Sequence, residues 1–255
     1  VHTLKFKLVL AYDGTDYHGW QSQPSGRGVQ DRVEAALAAL FPSAPRVESA
    51  SRTDTGVHAF GLAAHLELPA AELRMPARHL ALAINARLPE DIRVRSAVRS
   101  KAAFHARFDA TGKQYRYHLW NHAAMNPLLR GRAWHVPRPL DVTAMRQAAS
   151  AMLGRHDFRA FTARRAGVLK DAVRDLWRCD LRRDAGCLVV TLEGGGFLYK
   201  MCRGIVGTLV QVGEGRIAVD AIPGILGGRD RRRAGMNAPA HGLVLQRVFY
   251  QPRRL

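Results

Sequence analysis

Leu4, Phe6, Leu8 and Leu10 alternate with Lys5 and Lys7 at the start of the chain. A period of two puts the apolar side chains on one face of a strand, predicted over residues 4–12. After a polar, glycine-bearing stretch from Asp13 to Gly28 the period changes. Val29, Val33, Leu37 and Leu40 recur at helical spacing, and Pro42 stops the helix predicted over 29–41. Residues 46–50 read as a short strand, and the apolar segment Leu62–Leu68 predicts another. Pro76 opens a helix with Leu80, Ile84 and Leu88 on one face, ending before Pro89. Ile92 and Val94 then alternate with Arg93 and Arg95 in a strand over 91–98. The order strand, helix, strand, strand, helix, strand is that of a split β-α-β, ferredoxin-like unit.

A looser version of the same order follows. Tyr115, Tyr117 and Leu119 alternate with Gln114, Arg116 and His118 in a strand over 113–120. A helix over 141–153 has Asp141 as N-cap and Gly154 as stop. Residues 171–182 and 187–193 predict a hairpin turning at Asp184-Ala185-Gly186. Gly194-Gly195-Gly196 breaks that strand before an apolar helix over 197–212, which carries Lys200 and Arg203, and a shorter helix over 219–226. A basic loop from Gly227 to Pro239 holds Arg229, Arg231, Arg232 and Arg233 and leads to a last strand over 243–250. The two halves share an order of elements, not sequence. The expected fold is therefore α+β: two ferredoxin-like halves with mixed and antiparallel sheets, domains at 1–105 and 106–255, and a basic cleft between them.

Charge narrows the function classes. The 255 residues carry a formal charge of +18, most of it from arginine, with a pI near 11.0. Arginine's planar fork binds two phosphate oxygens at once, so a polyanion is the expected partner. Nucleic acid comes ahead of an anionic membrane, because no basic helix with an aromatic face is present. No apolar run reaches about 18 residues, so no membrane span is expected. Val1 to Tyr12 has none of the parts of a signal peptide. Cys179, Cys187 and Cys202 form no C-x-x-C pair. They favour a reducing, cytoplasmic setting and argue against a cysteine-built zinc site. The eleven histidines form no metal-ligand pattern in sequence.

The chemistry concentrates in Ser51-Arg52-Thr53-Asp54-Thr55-Gly56-Val57-His58-Ala59. Asp and Thr disfavour regular elements and Gly56 permits a tight turn, which places Asp54 on a loop. A carboxylate beside a fixed cation stays ionised and can act as nucleophile or base. An Asp in such a string can equally cap a helix and pair with a surface Arg. Two other stretches are decoys. The triple glycine lacks a G-x-S-x-G partner, and Gly213-x-Gly215-x-x-Ala218 follows a helix rather than the strand a dinucleotide loop requires.

The stretch Ser51–Ala59 resembles the tRNA pseudouridine synthase A family. So do Ala11-Tyr12-Asp13-Gly14-Thr15, His18-Gly19-Trp20-Gln21, Gln23-Pro24, Val29-Gln30, Asn85, Leu88-Pro89, Asp91-Ile92 and Phe104-His105-Ala106-Arg107-Phe108. Lys113-Gln114-Tyr115-Arg116-Tyr117, Phe197, Met201, Arg203 and Ile205-Val206-Gly207 continue the pattern in order, across nearly the whole chain. Thr55 departs from it where many members carry alanine. The resemblance implies an isomerase that converts uridine to pseudouridine at positions 38 to 40 of the tRNA anticodon stem-loop. It implies a homodimer on tRNA, no cofactor and no metal. By the same resemblance Asp54 is the catalytic residue, attacking C1′ or removing a proton from C2′. Arg52 helps hold the flipped nucleotide, Tyr115 stacks on the uracil, and Arg203 pairs with the catalytic aspartate. The basic segment 159–170, with Arg159, Arg164, Arg165 and Lys170, is a candidate RNA contact.

Two rival readings are available. Asp54-Thr55-Gly56 is the D-T-G of aspartic proteases, but that chemistry needs two carboxylates and the chain has one such motif. A non-catalytic RNA-binding protein explains the charge and gives Asp54 no task.

Overall fold

The computed structural model describes residues 2–163 and 171–251. The chain divides into two compact units. One contains the residues up to Thr111 together with those from Leu245 onward, and the other runs from Gly112 to Val244.

The first unit is built on β1 (Thr3–Tyr12), antiparallel to β3 (His58–Pro69) on one side and to β4 (Ile92–Arg99) on the other. The short β2 (Val47–Ser49) pairs with β3, setting Val47 opposite Leu66. The period-two pattern does what it predicts: Phe6, Leu8, Leu10 and Tyr12 are buried on one face. Helices α1 (Val29–Ala38) and α2 (Leu80–Asn85) bury Val33, Leu37, Leu80 and Ile84. Each such side chain contributes about 1.5–3 kcal/mol by leaving water. The chain re-enters this unit through its last strand, which lies beside β3. There Thr111 N–H donates to Phe249 O at 2.9 Å and Tyr250 Oη to Ala106 O at 2.8 Å.

Several boundaries differ from the sequence expectation, each for a local reason. α1 ends at Ala38 because Leu40 and Phe41 both turn their N–H groups back onto Leu37 O. The stretch from Pro76 splits into a single 3₁₀ turn, Ala77–His79, and the six-residue α2. α2 stops at Asn85 because the Asn85 amide pairs with β4, donating to Val94 O at 2.9 Å and accepting from Val94 N at 2.7 Å. β3 begins at His58, directly after the Asp54 loop.

The second unit has the strand order β5-β9-β8-β7. These are β5 (Gly112–Asn121), β7 (Gly154–Asp157), β8 (Val173–Asp184) and β9 (Cys187–Gly194), all antiparallel to their neighbours. β6 (Trp134–Val136) runs parallel to β5. The β8–β9 hairpin turns at Ala185 and Gly186, both with positive φ (46° and 81°), the primed turn that matches strand twist. Asp141 caps α3 (Val142–Ala151), accepting from Ala144 N at 2.9 Å. α4 spans Met201–Gly213 rather than starting at Phe197, because Lys200 takes the left-handed conformation (φ 58°) at the N-cap. α5 is Ala221–Gly228, and β10 (Leu243–Phe249) starts here and ends in the first unit. β6 and β7 escaped the sequence pattern because three or four residues are too few to show a period.

Candidate active site

Asp54 lies in an irregular loop between β2 and β3, and the first unit holds that loop at close quarters. Trp20 N–H donates to Thr53 O at 3.2 Å and Gly56 N–H to Tyr17 O at 3.4 Å. Val57 N–H closes a turn on Asp54 O at 3.1 Å, with Gly56 supplying the positive φ of 75° that the turn needs. Beneath it the Tyr12 hydroxyl and Thr53 Oγ1 share a buried 2.7 Å hydrogen bond. Burial pushes the Tyr12 phenol far above its ordinary range, opposed in part by the bond to Thr53, so it stays neutral.

Two glycines let the polar stretch Asp13–Gly28 touch this loop. A Cβ on Gly14 would stand 2.1 Å from Val57 O, and one on Gly19 2.4 Å from Thr53 O. Gly19 also needs φ +85°. Gly14 N–H points at His58 Nδ1 at 3.0 Å, and the same nitrogen lies 3.0 Å from Asp13 Oδ1. Whether Nδ1 accepts from the backbone or donates to the carboxylate depends on the ring's tautomer. The segment is fixed further by Tyr17, whose hydroxyl donates to Asp91 Oδ1 at 2.8 Å, and by stacking of Trp20 on Tyr12. Arg52 is exposed and makes no ion pair among the described residues.

In the second unit Tyr115 sits on β5 opposite Leu192 of β9, on the same face as Tyr117. It is buried, and Phe197 meets it edge-on at a centroid distance of 5.2 Å. Arg203 is on the first turn of α4, tied to the segment that follows the basic loop. Its Nε donates to Ala238 O at 2.7 Å and its carbonyl accepts from Ala238 N at 3.0 Å. That segment lies against α4 because Gly207 and Gly235 carry no side chain. A Cβ on Gly207 would overlap Met236 O. Thr208 Oγ1 receives Gly235 N–H at 2.9 Å and donates to Gly204 O at 2.8 Å. Tyr117 completes the brace by donating to Pro239 O at 2.7 Å. Burial holds its phenol well above the ordinary range while the nearby Arg203 charge pulls the other way.

The other basic residues singled out in the sequence are largely engaged. Arg231 donates to Gly235 O at 2.6 Å, Arg232 pairs with Asp230 at 2.9 Å, and Arg229 lies 3.2 Å from Asp157. Arg159 is half-buried in a 3₁₀ turn beside Asp157 rather than on an open loop. Arg164, Arg165 and Lys170 lie outside the described residues.

One ligand-like cluster was invisible in the sequence. Glu48, His65 and His105, from three separate segments, bring donor atoms within 4.8 Å of one another. His65 Nδ1 accepts from Ala106 N at 3.2 Å and His105 Nδ1 from Arg107 N at 3.2 Å. Each neutral ring then carries its proton on Nε2, and His105 uses it on Glu48 Oε2 at 3.1 Å. A metal needs that lone pair, so the trio is a hydrogen-bonded brace for residues 104–108 and not a metal centre. Among the described residues no helix is long and apolar enough to cross a membrane.

Residues 8–109 and 148–251 match the family described as tRNA pseudouridine synthase. The chain belongs to the tRNA pseudouridine synthase family. Among similar proteins, the tRNA pseudouridine synthase A of Acetivibrio thermocellus is 43% identical over 244 residues, covering 96% of this chain and 98% of its own. Those of Geotalea uraniireducens and Bacillus subtilis are each 41% identical, covering 96% and 97% of this chain and 99% of their own.

Within this pseudouridine synthase, the motif residues quoted for resemblance alone acquire a physical task. Tyr12, Gly14, Gly19, Trp20 and His58 shape the bed of the Asp54 loop. Sequence reasoning missed that task. The available signal was Gly14 and Gly19, two of the four glycines in the polar stretch Asp13–Gly28.

Proposed function

We infer that this tRNA pseudouridine synthase isomerises uridine in the anticodon stem-loop, at positions 38 to 40, with Asp54 as its catalytic carboxylate. The observation that carries the reading is similarity extending over 96% of the chain to proteins named tRNA pseudouridine synthase A. The reaction breaks the C1′–N1 bond, turns the uracil and rejoins it through C5, and the hydrogen on C5 leaves as a proton. Nothing is oxidised and no group is imported. A carboxylate on a pinned loop suits either route, attack on C1′ or removal of the C2′ proton.

Arg52, Tyr115 and Arg203 are the substrate-binding residues of this reading. An exposed Arg52 two residues from Asp54 can fill a vacated base stack and touch phosphate. Tyr115 presents an aromatic ring fixed by Phe197, suited to stacking on any base. Arg203, held through Nε, contributes a cation whose position does not depend on solvent. The order β4-β1-β3, with β2 beside β3, supports reading the first unit as a ferredoxin-like half, and the second as its looser counterpart. The homodimer and the cytoplasmic setting belong to the same proposal.

The test is tritium release from tRNA labelled at uridine C5, with wild type and Asp54→Asn. Release by wild type and none by the variant, with tRNA binding retained by both, is the expected result. Release by neither leaves an RNA-binding protein. Equal release refutes the placing of the site at Asp54.

A further inference from the structure

Two β-bulges face each other across β1, and they put an arginine on an exposed aromatic ring. Between Leu10 and Tyr12 of β1, the partners on β3 are Leu62 and Ala59, so Phe60 and Gly61 together oppose Ala11 alone. Between the adjacent Val9 and Leu10, the partners on β4 are Ser96 and Val94, so Arg95 is the extra residue there. Bulges re-aim side chains and are concentrated beside active sites. These two send Arg95 across the central strand. Its guanidinium lies 3.8 Å from the Phe60 ring centroid and its Nη1 donates to Phe60 O at 3.0 Å.

The pair is not part of the core. Phe60 is 46% exposed in a strand whose neighbouring residues are buried, and Arg95 is exposed as well. The remaining N–H groups of Arg95 have no protein partner among the described residues. What sets Phe60 apart from the other exposed hydrophobics such as Phe108 and Leu128 is the guanidinium held 3.8 Å from its ring centroid. Phe60 also follows Asp54 by only six residues, at the start of the strand that leaves the catalytic loop. Arg93 and Arg99 on the same strand as Arg95 add to a positive field.

We propose that Arg95 and Phe60 form a stacking platform for an unpaired nucleotide of the RNA substrate, next to the nucleotide that reacts. The base lies on the arginine–phenylalanine stack and the adjoining phosphate takes the outward N–H groups of Arg95. Unstacked bases are recognised on aromatic and guanidinium planes in this way, without demanding a sequence. The occupant is RNA rather than an apolar partner, because the guanidinium would have to be desolvated under a protein face but keeps its charge satisfied beside phosphate. This subsite rests on the assignment of tRNA as substrate.

The experiment measures tRNA affinity and single-turnover tritium release with the full chain. Variants are Phe60→Ala, Phe60→Leu, Phe60→Trp and Arg95→Ala. Phe60→Ala, Phe60→Leu and Arg95→Ala are each expected to weaken tRNA binding about tenfold, while the rate at saturating tRNA stays within about threefold of wild type. Phe60→Trp keeps wild-type affinity, because it keeps the π face. Arg95→Ala alone makes binding less salt-dependent, by slightly under one unit of the log–log slope for one lost phosphate contact. Wild-type binding by Phe60→Leu and Arg95→Ala, in an active protein, overturns the platform and leaves the isomerase reading standing. Equal weakening by Phe60→Trp also overturns it. If no tritium is released by wild type yet the affinity pattern holds, the platform stands and the isomerase reading falls.

Discussion

Replacing Gly14 with alanine tests whether the position of the Asp54 loop sets the rate. Gly14 is not in the left-handed region, so alanine adds no backbone strain of its own. The effect is steric. The new Cβ would sit 2.1 Å from Val57 O and 2.7 Å from Val57 C, both backbone atoms that cannot swing aside. Ordinary contact begins near 3.4 Å, so the loop must retreat by about 1.3 Å. Val57 is bonded to Asp54 through the 3.1 Å turn, and the carboxylate moves with it. A misplacement of about 1 Å costs on the order of a hundredfold in rate, whereas overpacking of this size costs about 1–3 kcal/mol of stability. Gly14→Ala is therefore expected to fold, to bind tRNA within about threefold of wild type, and to release tritium about a hundredfold more slowly in a single turnover. Gly26→Ala in the same stretch is the control. Gly26 has φ +63° but nothing within 4 Å of its Cβ, so it costs about 1–2 kcal/mol of strain and leaves the rate alone. A Gly14→Ala protein with a wild-type single-turnover rate would refute the reasoning, since the loop would then tolerate displacement.

Two further outcomes follow from the hydrogen-bond networks. Burial, and then the neighbouring His105, lower the His65 pKa below its ordinary 6.5, so the unfolded chain takes up a proton that the folded one refuses. This group's contribution is present above about pH 6.5 and is lost as pH falls through that value towards the folded pKa. The urea midpoint should drop between about pH 7.5 and pH 5.5, and His65→Gln, which still offers Ala106 N–H an acceptor, should flatten that drop. Thr208→Val keeps the shape of a fully buried side chain but leaves Gly235 N–H unpaired. A loss of about 1–3 kcal/mol in urea unfolding is expected, and no loss would mean that the segment is not held through Thr208.

What the sequence disclosed depended on how many residues carried each signal. β1 was legible because Leu4 to Leu10 repeat a strict period, and α3 because Asp141 and Gly154 bracket it. The start of α4 was not, because Phe197 and Leu198 are as apolar as the helix proper. Only the left-handed Lys200, a tertiary outcome, moves the boundary to Met201. Asp54 could be singled out since an Arg, an Asp and a Gly fall within five residues. The bed beneath it could not, because Gly14 and Gly19 meet Val57 and Thr53 across more than thirty residues of chain. The Glu48–His65–His105 brace was hidden for the same reason, and so were the paired bulges, which depend on a register between strands.

The return of the chain to its first unit through β10 has a consequence for biosynthesis. Gly112–Val244 is one uninterrupted stretch and can close its sheet while the ribosome is still at work. The unit that holds Asp54 is translated first yet finished last, because Gly61 must wait for the Gln246 backbone it packs against and Thr111 for Phe249. A nascent chain stalled before residue 245 therefore exposes the edge of β3. The unit around the Asp54 loop would therefore be completed only once residues 245–249 have been made, which ties its final support to that segment rather than to its own stretch of chain.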